Sequence, residues 1–512
     1  MSSWSVSTTA RRWAIFGALA LLRMFRKAVS RSDETYKLLF TPGFERFRWQ
    51  VGRWRAWLAF ERARREVPAY HAFLAEHGGA AVRLNGLNPD FSDVPATDKD
   101  SYIRRYSIEE RCRGGRIPPA GVVIDESSGT SGTANNWVRG AEERKEVKQA
   151  LQVAFHHLLG NEPVFFLNAF ALGPWATGMN VSMSLVDVAI LKSVGPDVAK
   201  IEATLRTFGP KYKYVVAGYP PFLKTLIDTA DIDWDGYDML AVFGGEGMSE
   251  AMRDYLLAKA FKRAYGSYGA SDLEINVGVE SDFTIELRRL LARDEELAAR
   301  LLPREHGVLP MVFQYNPIDY CIETNDAGEL LVTLNRTANT SPKIRYNIHD
   351  LGHVLRMPEL ERILEEHGIA LSTLHESRTD LPLLFLYGRA DAAVAYYGAK
   401  VTPTDVEQVI FGMPTLAPQV NSFALVVEED ERADKLLTIA LELREGSELR
   451  TDGQGTLRQE LIERLKAGNQ DFREAARFMP AEALPRLELH AYGQGPFARN
   501  DIRLKKHYVQ TR

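Results

Sequence analysis

Between residues 142 and 265, stretches of helical character alternate with apolar runs of strand length. Helix-like 142–159, 198–208, 221–229 and 250–260 are interleaved with strand-like 163–170, 214–217, 239–243 and 264–265. Strands separated by a helix cannot pair as tight hairpins. The intervening helix carries the chain back to the starting edge, so the strands line up parallel. The pattern predicts an α/β core built on a parallel sheet. A chain of 512 residues exceeds what one hydrophobic core normally serves and predicts more than one domain. A formal charge of −5 argues against a general nucleic-acid binder, which carries a basic surplus. The two cysteines, Cys112 and Cys321, exclude a disulfide scaffold and a cysteine-rich zinc cluster, and they fit a reducing cytoplasm.

Upstream of this core lies Ser127-Ser128-Gly129-Thr130-Ser131-Gly132-Thr133, preceded by apolar Val122-Val123-Ile124. Glycine lets backbone approach a ligand closely, and hydroxyls with freed N–H groups can donate to phosphate oxygens. No Gly-Lys-Ser/Thr closes the run and no Gly-x-Gly-x-x-Gly is present. It is therefore neither a Walker-type loop nor a dinucleotide fingerprint. A flexible Ser/Gly linker is the plainer reading of the run alone.

The run resembles the phosphate loop of the adenylate-forming superfamily of acyl-CoA synthetases and adenylation domains. The phenylacetate-CoA ligase-like branch is the most similar. Four later segments follow in that family's order: Phe243-Gly244-Gly245-Glu246, Tyr268-Gly269-Ala270-Ser271-Asp272, Arg345-Tyr346 with Asp350-Leu351, and Gly388-Arg389-Ala390-Asp391 trailed by Gly398, Lys400 and Glu407. The likeness runs from about residue 61 to the C-terminus, and ordered matches are far rarer by chance than one. Thr133 stands where the branch's loop carries lysine; Arg139 and Lys145 are candidates to compensate.

The resemblance implies a large N-terminal adenylate-forming domain with parallel-sheet subdomains at 51–387, a small α+β C-terminal lid at 388–512, and a helical extension at 1–50. It implies ATP-dependent activation of a carboxylic acid as acyl-adenylate with pyrophosphate release, then transfer to the thiol of coenzyme A. An amine or a carrier-protein thiol is the alternative acceptor. An inactive nucleotide- or acyl-binding relative is the alternative from another class. Ser127, Ser128, Gly129, Thr130, Ser131 and Gly132 would cradle phosphates, with Gly269 and Ser271 in the same nucleotide site. Gly244, Gly245 and Glu246 would lie along adenine, with Tyr268 stacked on it. Asp350 and Arg389 would hold ribose. Asp272 would bind Mg²⁺, with Glu274 a nearby substitute. Asp391 would be the hinge, Gly398 would open a pantetheine channel, and Lys400 would meet the coenzyme A nucleotide. Gap-free matching sets Arg503 at the position of the catalytic lysine, and a shift of two sets Lys505 there; Lys505 is assigned the role.

Phe170, Trp175, Gly178, Tyr219, Phe222 and Phe243 are the expected acid pocket, and their aromatic and small side chains predict an aryl or apolar acid. His156-His157 lies in a helical run and lacks the downstream aspartate-glycine of an acyl-transfer motif. His349 and His353 lack a third ligand in the pattern. The apolar stretch 14–22 is flanked by Arg11, Arg12, Arg23, Arg26 and Lys27. It is too short to span a bilayer. A helix packed on the main domain is the expected reading, with a peripheral membrane contact as the alternative. A homodimer stays open. The charge-rich segment from 283 predicts an exposed helix, and 312–324 with 329–333 predict an antiparallel subdomain.

Overall fold

The computed structural model describes residues 8–29, 42–79, 81–126, 135–303, 309–374, 379–389, 394–396, 399–429, 435–447, 454–469, 472–473, 476, 479, 483–498 and 509–511. Helix α1 (Thr8–Val29) buries Ile15 and Leu19 against α2 (Glu45–Glu66), with the rings of Phe16 and Trp57 4.9 Å apart and Arg12 2.8 Å from Glu61. Trp13, Leu21 and Met24 face outward. The Val67-Pro68 step separates α2 from α3 (Pro68–Glu76), where proline occupies the first turn and sacrifices no helical bond.

A hairpin of β1 (Val123–Glu126) and β2 (Asn136–Arg139) precedes the core. Five strands then run parallel: β3 (Val164–Asn168), β4 (Ile190–Ser193), β5 (Lys213–Gly218), β6 (Asp238–Gly244) and β7 (Arg263–Tyr268), in spatial order β4-β3-β5-β6-β7. The helix α4 (Ala141–Leu159) precedes them, and α5 (Ala176–Leu185), α6 (Val198–Phe208), α7 (Pro220–Thr229) and α8 (Glu250–Lys259) link one to the next. Every residue of β3 is buried, as expected for a parallel strand covered on both faces.

The sheet does not stop there. Strand β8 (Gly278–Val279) pairs antiparallel with β7 and with β9 (Met311–Tyr315). Beyond β9 follow β13 (Leu383–Arg389), β12 (Tyr346–Leu355), β11 (Glu329–Leu334) and β10 (Tyr320–Thr324), giving eleven strands among the described residues. The strands expected to form an antiparallel subdomain do pair antiparallel, and they are continuous with the parallel half. Likewise α9 (Asp282–Arg293) is not simply exposed. It buries Phe283, Leu287 and Leu291, and its Arg288 reaches Glu250 at 2.7 Å.

The C-terminal segment carries its own sheet. A short pair, β14 (Val394–Tyr396) and β15 (Ala399–Val401), leads to α10 (Pro403–Phe411). Strands β16 (Val420–Glu429) and β17 (Lys435–Leu443) pair antiparallel, followed by α11 (Gln454–Gly468). Strands β18 (Arg486–His490) and β19 (Val509–Thr511) add parallel edges. Val406, Ile410, Leu425, Ile439 and Leu461 form a core distinct from that of the large sheet.

This segment docks on α7 and α8. Glu407 Oε2 accepts the Ser249 backbone N–H at 2.7 Å, and Gln408 Oε1 accepts that of Ala251 at 3.1 Å. Two orphan amides at the start of α8 are thereby capped from another sheet's helix. Lys224 Nζ donates to the Val420 carbonyl at 2.6 Å, and Arg444 pairs with Asp228. Burial pushes the Glu407 carboxyl from its ordinary 4.5 up to about 7, with the Ser249 amide pulling the other way. The fold therefore favours the neutral acid. Its contribution to stability is full below about pH 4.5 and is lost as pH rises through about 7. Glu407→Gln keeps an acceptor for Ser249 without a charge to bury. Its melting temperature relative to the parent is expected to rise between pH 5 and pH 8 in parallel melts, and a constant difference refutes the titration.

Candidate functional site

In open α/β sheets ligands bind beyond the carboxyl ends of parallel strands, near the point where strand order reverses. Here that edge gathers Asn168 and Phe170 after β3, Tyr219 after β5, Gly244, Gly245 and Glu246 at the end of β6, and Tyr268 and Gly269 at the end of β7. Gly245 has φ +81, and a Cβ on Gly244 would sit 3.0 Å from the Ser267 carbonyl oxygen. Both positions demand glycine. On Gly269, a Cβ would meet the Glu274 carbonyl oxygen at 2.7 Å.

Three of the sequence-assigned residues meet at the seam with the antiparallel half. The Tyr268 hydroxyl donates to Asp350 Oδ2 at 2.7 Å. Arg389 is the direct cross-strand partner of Asp350. The Tyr268 ring is buried and lies 5.8 Å from that of Phe313. Burial and the Asp350 carboxylate hold its phenol well above the ordinary range. The ring expected to stack on a base is buried in this structure, and its hydroxyl is bonded to Asp350. Asn276, Arg345 and His349 adopt positive φ of 62°, 44° and 64°. Such non-glycine strain costs about 1–3 kcal/mol each and collects around functional sites.

Asp272 is nearly buried. Its Oδ2 accepts from the Tyr346 hydroxyl at 2.9 Å and lies 3.2 Å from Lys99 Nζ, and Ser271 Oγ is 3.4 Å from its Oδ1. Glu274 is held by Arg336 at 2.5 Å and by the Tyr320 hydroxyl at 2.8 Å. Its Oε1 has no hydrogen-bond partner, and burial raises its carboxyl to about 7. Glu274 and Asp125 line a cavity of about 410 Å³ at the start of α4. Arg139, expected to compensate for the absent loop lysine, is committed elsewhere. It binds Asp125 and Glu143 at 3.3 and 3.4 Å and the Ser271 carbonyl at 2.5 Å. Lys145 lines the same cavity.

Sequence reasoning missed Lys343. Its amine lies 4.7 Å from the Trp137 ring centroid and 5.8 Å from that of Tyr346, and burial, with Arg139 and Arg111 adding repulsion, lowers it to about 7. The only signal was a lysine between Pro342 and Ile344, which reads as surface.

The acid-pocket residues divide. Phe170 lines an apolar slot, and the Tyr219 ring packs edge-on against it at 5.3 Å. Gly178 instead lets α5 approach the 171 carbonyl, which a Cβ would meet at 2.1 Å. Trp175 lies beside the hairpin, bridged to Glu126. Phe222 and Phe243 are a correction: both sit in the core on the opposite face of the sheet. Successive residues of a strand point to opposite faces, so Val242 lines the slot and Phe243 cannot. The two doubtful histidine pairs resolve into separate contacts. His349 Nδ1 lies 2.8 Å from Glu329, and His353 stacks on Phe385 at 4.6 Å. His156 Nδ1 lies 3.3 Å from the Gly160 carbonyl. Ser127, Ser128, Gly129, Thr130, Ser131, Gly132, Asp391, Gly398, Arg503 and Lys505 lie outside the described residues; Lys400 falls on β15.

No family model matches the chain. A phenylacetate-coenzyme A ligase of Aromatoleum evansii is 26% identical over 232 residues, 44% of this chain and 44% of the relative, so the match spans less than half of its length. Among solved structures, 2-hydroxyisobutyryl-CoA ligase in the postadenylation state with 2-HIB-AMP superposes with a TM-score of 0.66 at 14% identity, over 92% of this chain and 91% of that one. The same ligase in its thioesterification state, with 2-HIB-AMP and CoA, gives 0.53 at 15% identity and equal coverage. The fold is shared with 2-hydroxyisobutyryl-CoA ligase. Its partial sequence relative is a phenylacetate-coenzyme A ligase.

The Tyr268–Asp350 bond can be tested without a ligand. Asp350→Ala leaves a buried hydroxyl unsatisfied and is expected to cost about 1–3 kcal/mol in urea unfolding. Adding Tyr268→Phe should recover part of that loss, and strictly additive effects would show that the two do not interact.

Proposed function

We propose that this protein activates an aryl or apolar carboxylic acid with ATP, forming an acyl-adenylate and releasing pyrophosphate, and then passes the acyl group to the thiol of coenzyme A. The observation that carries the reading is the convergence of Tyr268, Asp350 and Arg389 beside Gly244 and Gly245, at the carboxyl edge of the parallel strands. Asp350 presents a carboxylate suited to ribose hydroxyls. The two glycines leave room for a flat base against the backbone. A carboxylate is a poor electrophile, and attack on the α-phosphorus requires mainly positioning and neutralised charge.

The residues present fit a nucleotide and a divalent cation. Glu274 Oε1 is a buried carboxylate oxygen without a hydrogen-bond partner, and Asp272 lies two residues before it in the chain with Lys99 beside it. Among the described residues no three histidine, cysteine or acidic side chains gather as a metal cage. Mg²⁺ commonly takes one or two carboxylates and completes its shell with phosphate and water. Asp272, with Glu274 as substitute, would hold it, and the ion would supply neutralisation of phosphate charge.

We assign 51–387 as the acid- and ATP-binding domain, 388–512 as a lid and 1–50 as an extension. The separate C-terminal core and its polar dock on α7 and α8 support this division. Ser127–Gly132 as phosphate cradle, Asp391 as hinge, Gly398 and Lys400 toward the thiol carrier, and Lys505 as catalytic cation rest on the sequence resemblance. The outer face of α1, with Trp13, Leu21 and Met24 exposed, is where a peripheral lipid contact would form. No described helix is long and apolar enough to cross a membrane.

Pyrophosphate exchange against a panel of carboxylic acids tests the first half-reaction. Exchange with at least one acid is expected, and silence across aliphatic and aryl acids would favour the non-enzymatic relative. Coenzyme A, amines or a carrier protein added to the formed adenylate then identify the acceptor. Asp350→Ala is expected to weaken ATP binding at least tenfold by calorimetry, and an unchanged affinity removes it from the site. Lys505→Ala is expected to depress adenylate formation far more than thioester formation from supplied adenylate. Equal losses would move that role to Arg503. Vesicle co-sedimentation that Trp13→Ser leaves unaltered would reject the lipid contact at α1.

A further inference from the structure

Lys343, between β11 and β12, brings an ammonium into the interior at 2% exposure. Two aromatic faces flank it. The amine lies 4.7 Å from the centroid of Trp137, the second residue of β2, and 5.8 Å from that of Tyr346, which opens β12. Among the described residues no hydrogen bond or ion pair holds it. A lysine taken inside ordinarily comes paired, because an ammonium without a partner is costly to desolvate.

The acids that act on this amine are engaged by other groups. Glu143 accepts from Arg139 at 3.4 Å and from the Gly140 and Thr340 backbone amides at 3.4 and 3.2 Å. Asp272 accepts from the Tyr346 hydroxyl at 2.9 Å and lies 3.2 Å from Lys99. Arg139 and Arg111 repel the amine. Burial and that repulsion outweigh the pull of Glu143 and Asp272. Lys343 therefore stands where negative charge is short, and an anion brought from outside would complete its surroundings.

Its position suits the phosphate end of a nucleotide. The β1–β2 hairpin ends at the Glu126–Asn136 pair, the run assigned to phosphate lies between those two residues in the chain, and Trp137 follows Asn136 directly. On the other side, Tyr346 is bonded to Asp272, the residue assigned to the divalent cation. The run carries Thr133 where a lysine is expected. Arg139 is bound to Asp125, Glu143 and the Ser271 carbonyl, and Lys145 occupies an exposed position of α4. Resting on the adenylation reading, we propose that Lys343 supplies the positive charge that the loop lacks and binds the β- and γ-phosphates of ATP, not its adenosine end.

Calorimetric titration of Lys343→Met with ATP, AMP and inorganic pyrophosphate at fixed Mg²⁺ tests this. Methionine keeps an unbranched stem between the two rings and removes a charge that is costly to bury, so urea unfolding should show stability equal to or above the parent's. ATP and pyrophosphate are expected to bind about ten- to a hundredfold more weakly, the loss of one charge-assisted contact. AMP has neither outer phosphate and should keep its affinity within about twofold. A damaged fold would weaken all three. If Lys343→Met does not fold, Lys343→Gln is read in the same way. Unchanged ATP and pyrophosphate affinities, or an equal loss for AMP in a folded variant, overturn the inference, while ATP binding by the parent keeps the adenylation reading. A parent that binds no ATP overturns that reading instead. Lys343 is then judged on pyrophosphate alone: binding that the variant weakens at least tenfold supports the inference, and absent or unaltered binding overturns it.

Discussion

The rest of the molecule depends on two residues of backbone pairing. Gly278 and Val279 stand opposite Tyr268 and Ser267 on one side and Tyr315 and Gln314 on the other. This is where a parallel sheet becomes antiparallel. The joint is tight: a Cβ on Gly278 would stand 3.0 Å from that of Phe313, and one on Gly266 would stand 2.7 Å from the Glu280 carboxylate. Behind it, Arg253 pairs with buried Glu280 at 2.8 Å and with Glu250 at 3.2 Å. Removing one partner of such a pair leaves an uncompensated interior charge. Only because this seam fixes the two halves as one sheet can a tyrosine ending one strand reach an aspartate 82 positions later.

The same joint explains why the site is polar where it is and oily beside it. The parallel strands offer one face to Phe243, Ala241 and Met239 and the other to Val242 and Leu240. Polar and charged groups collect past the strand ends, where Asp272 meets Lys99 and Tyr346, and Arg336 pairs with Glu274. A chemistry that joins an oily acid to a highly charged phosphate needs both environments within a few ångströms, and strand ends supply the boundary between them.

Much of this was legible from local pattern. The alternation between 142 and 265 and the α+β character of the C-terminal segment both appear, with boundaries shifted by a few residues. These depend on short-range spacing, proline and glycine. The resemblance led to Tyr268, Asp350 and Arg389, which the fold brings together. What failed depends on three-dimensional facing. Phe222 and Phe243 are aromatic and close in sequence to pocket residues, but strand parity sends Phe243 to the other layer. Lys343 and the fusion of the two half-sheets arise from long-range packing that no window of sequence contains.

The Glu407 contact makes the docking of the C-terminal unit sensitive to a proton. Docked, the carboxyl favours its proton because water is absent; released, it would ionise as an ordinary surface acid near 4.5. Any rotation parting α10 from α8 would therefore shed part of a proton at neutral pH and leave two helix amides to be rehydrated. Protonation of Glu407 thus favours the docked contact and deprotonation disfavours it, which makes the proton a ligand of that contact.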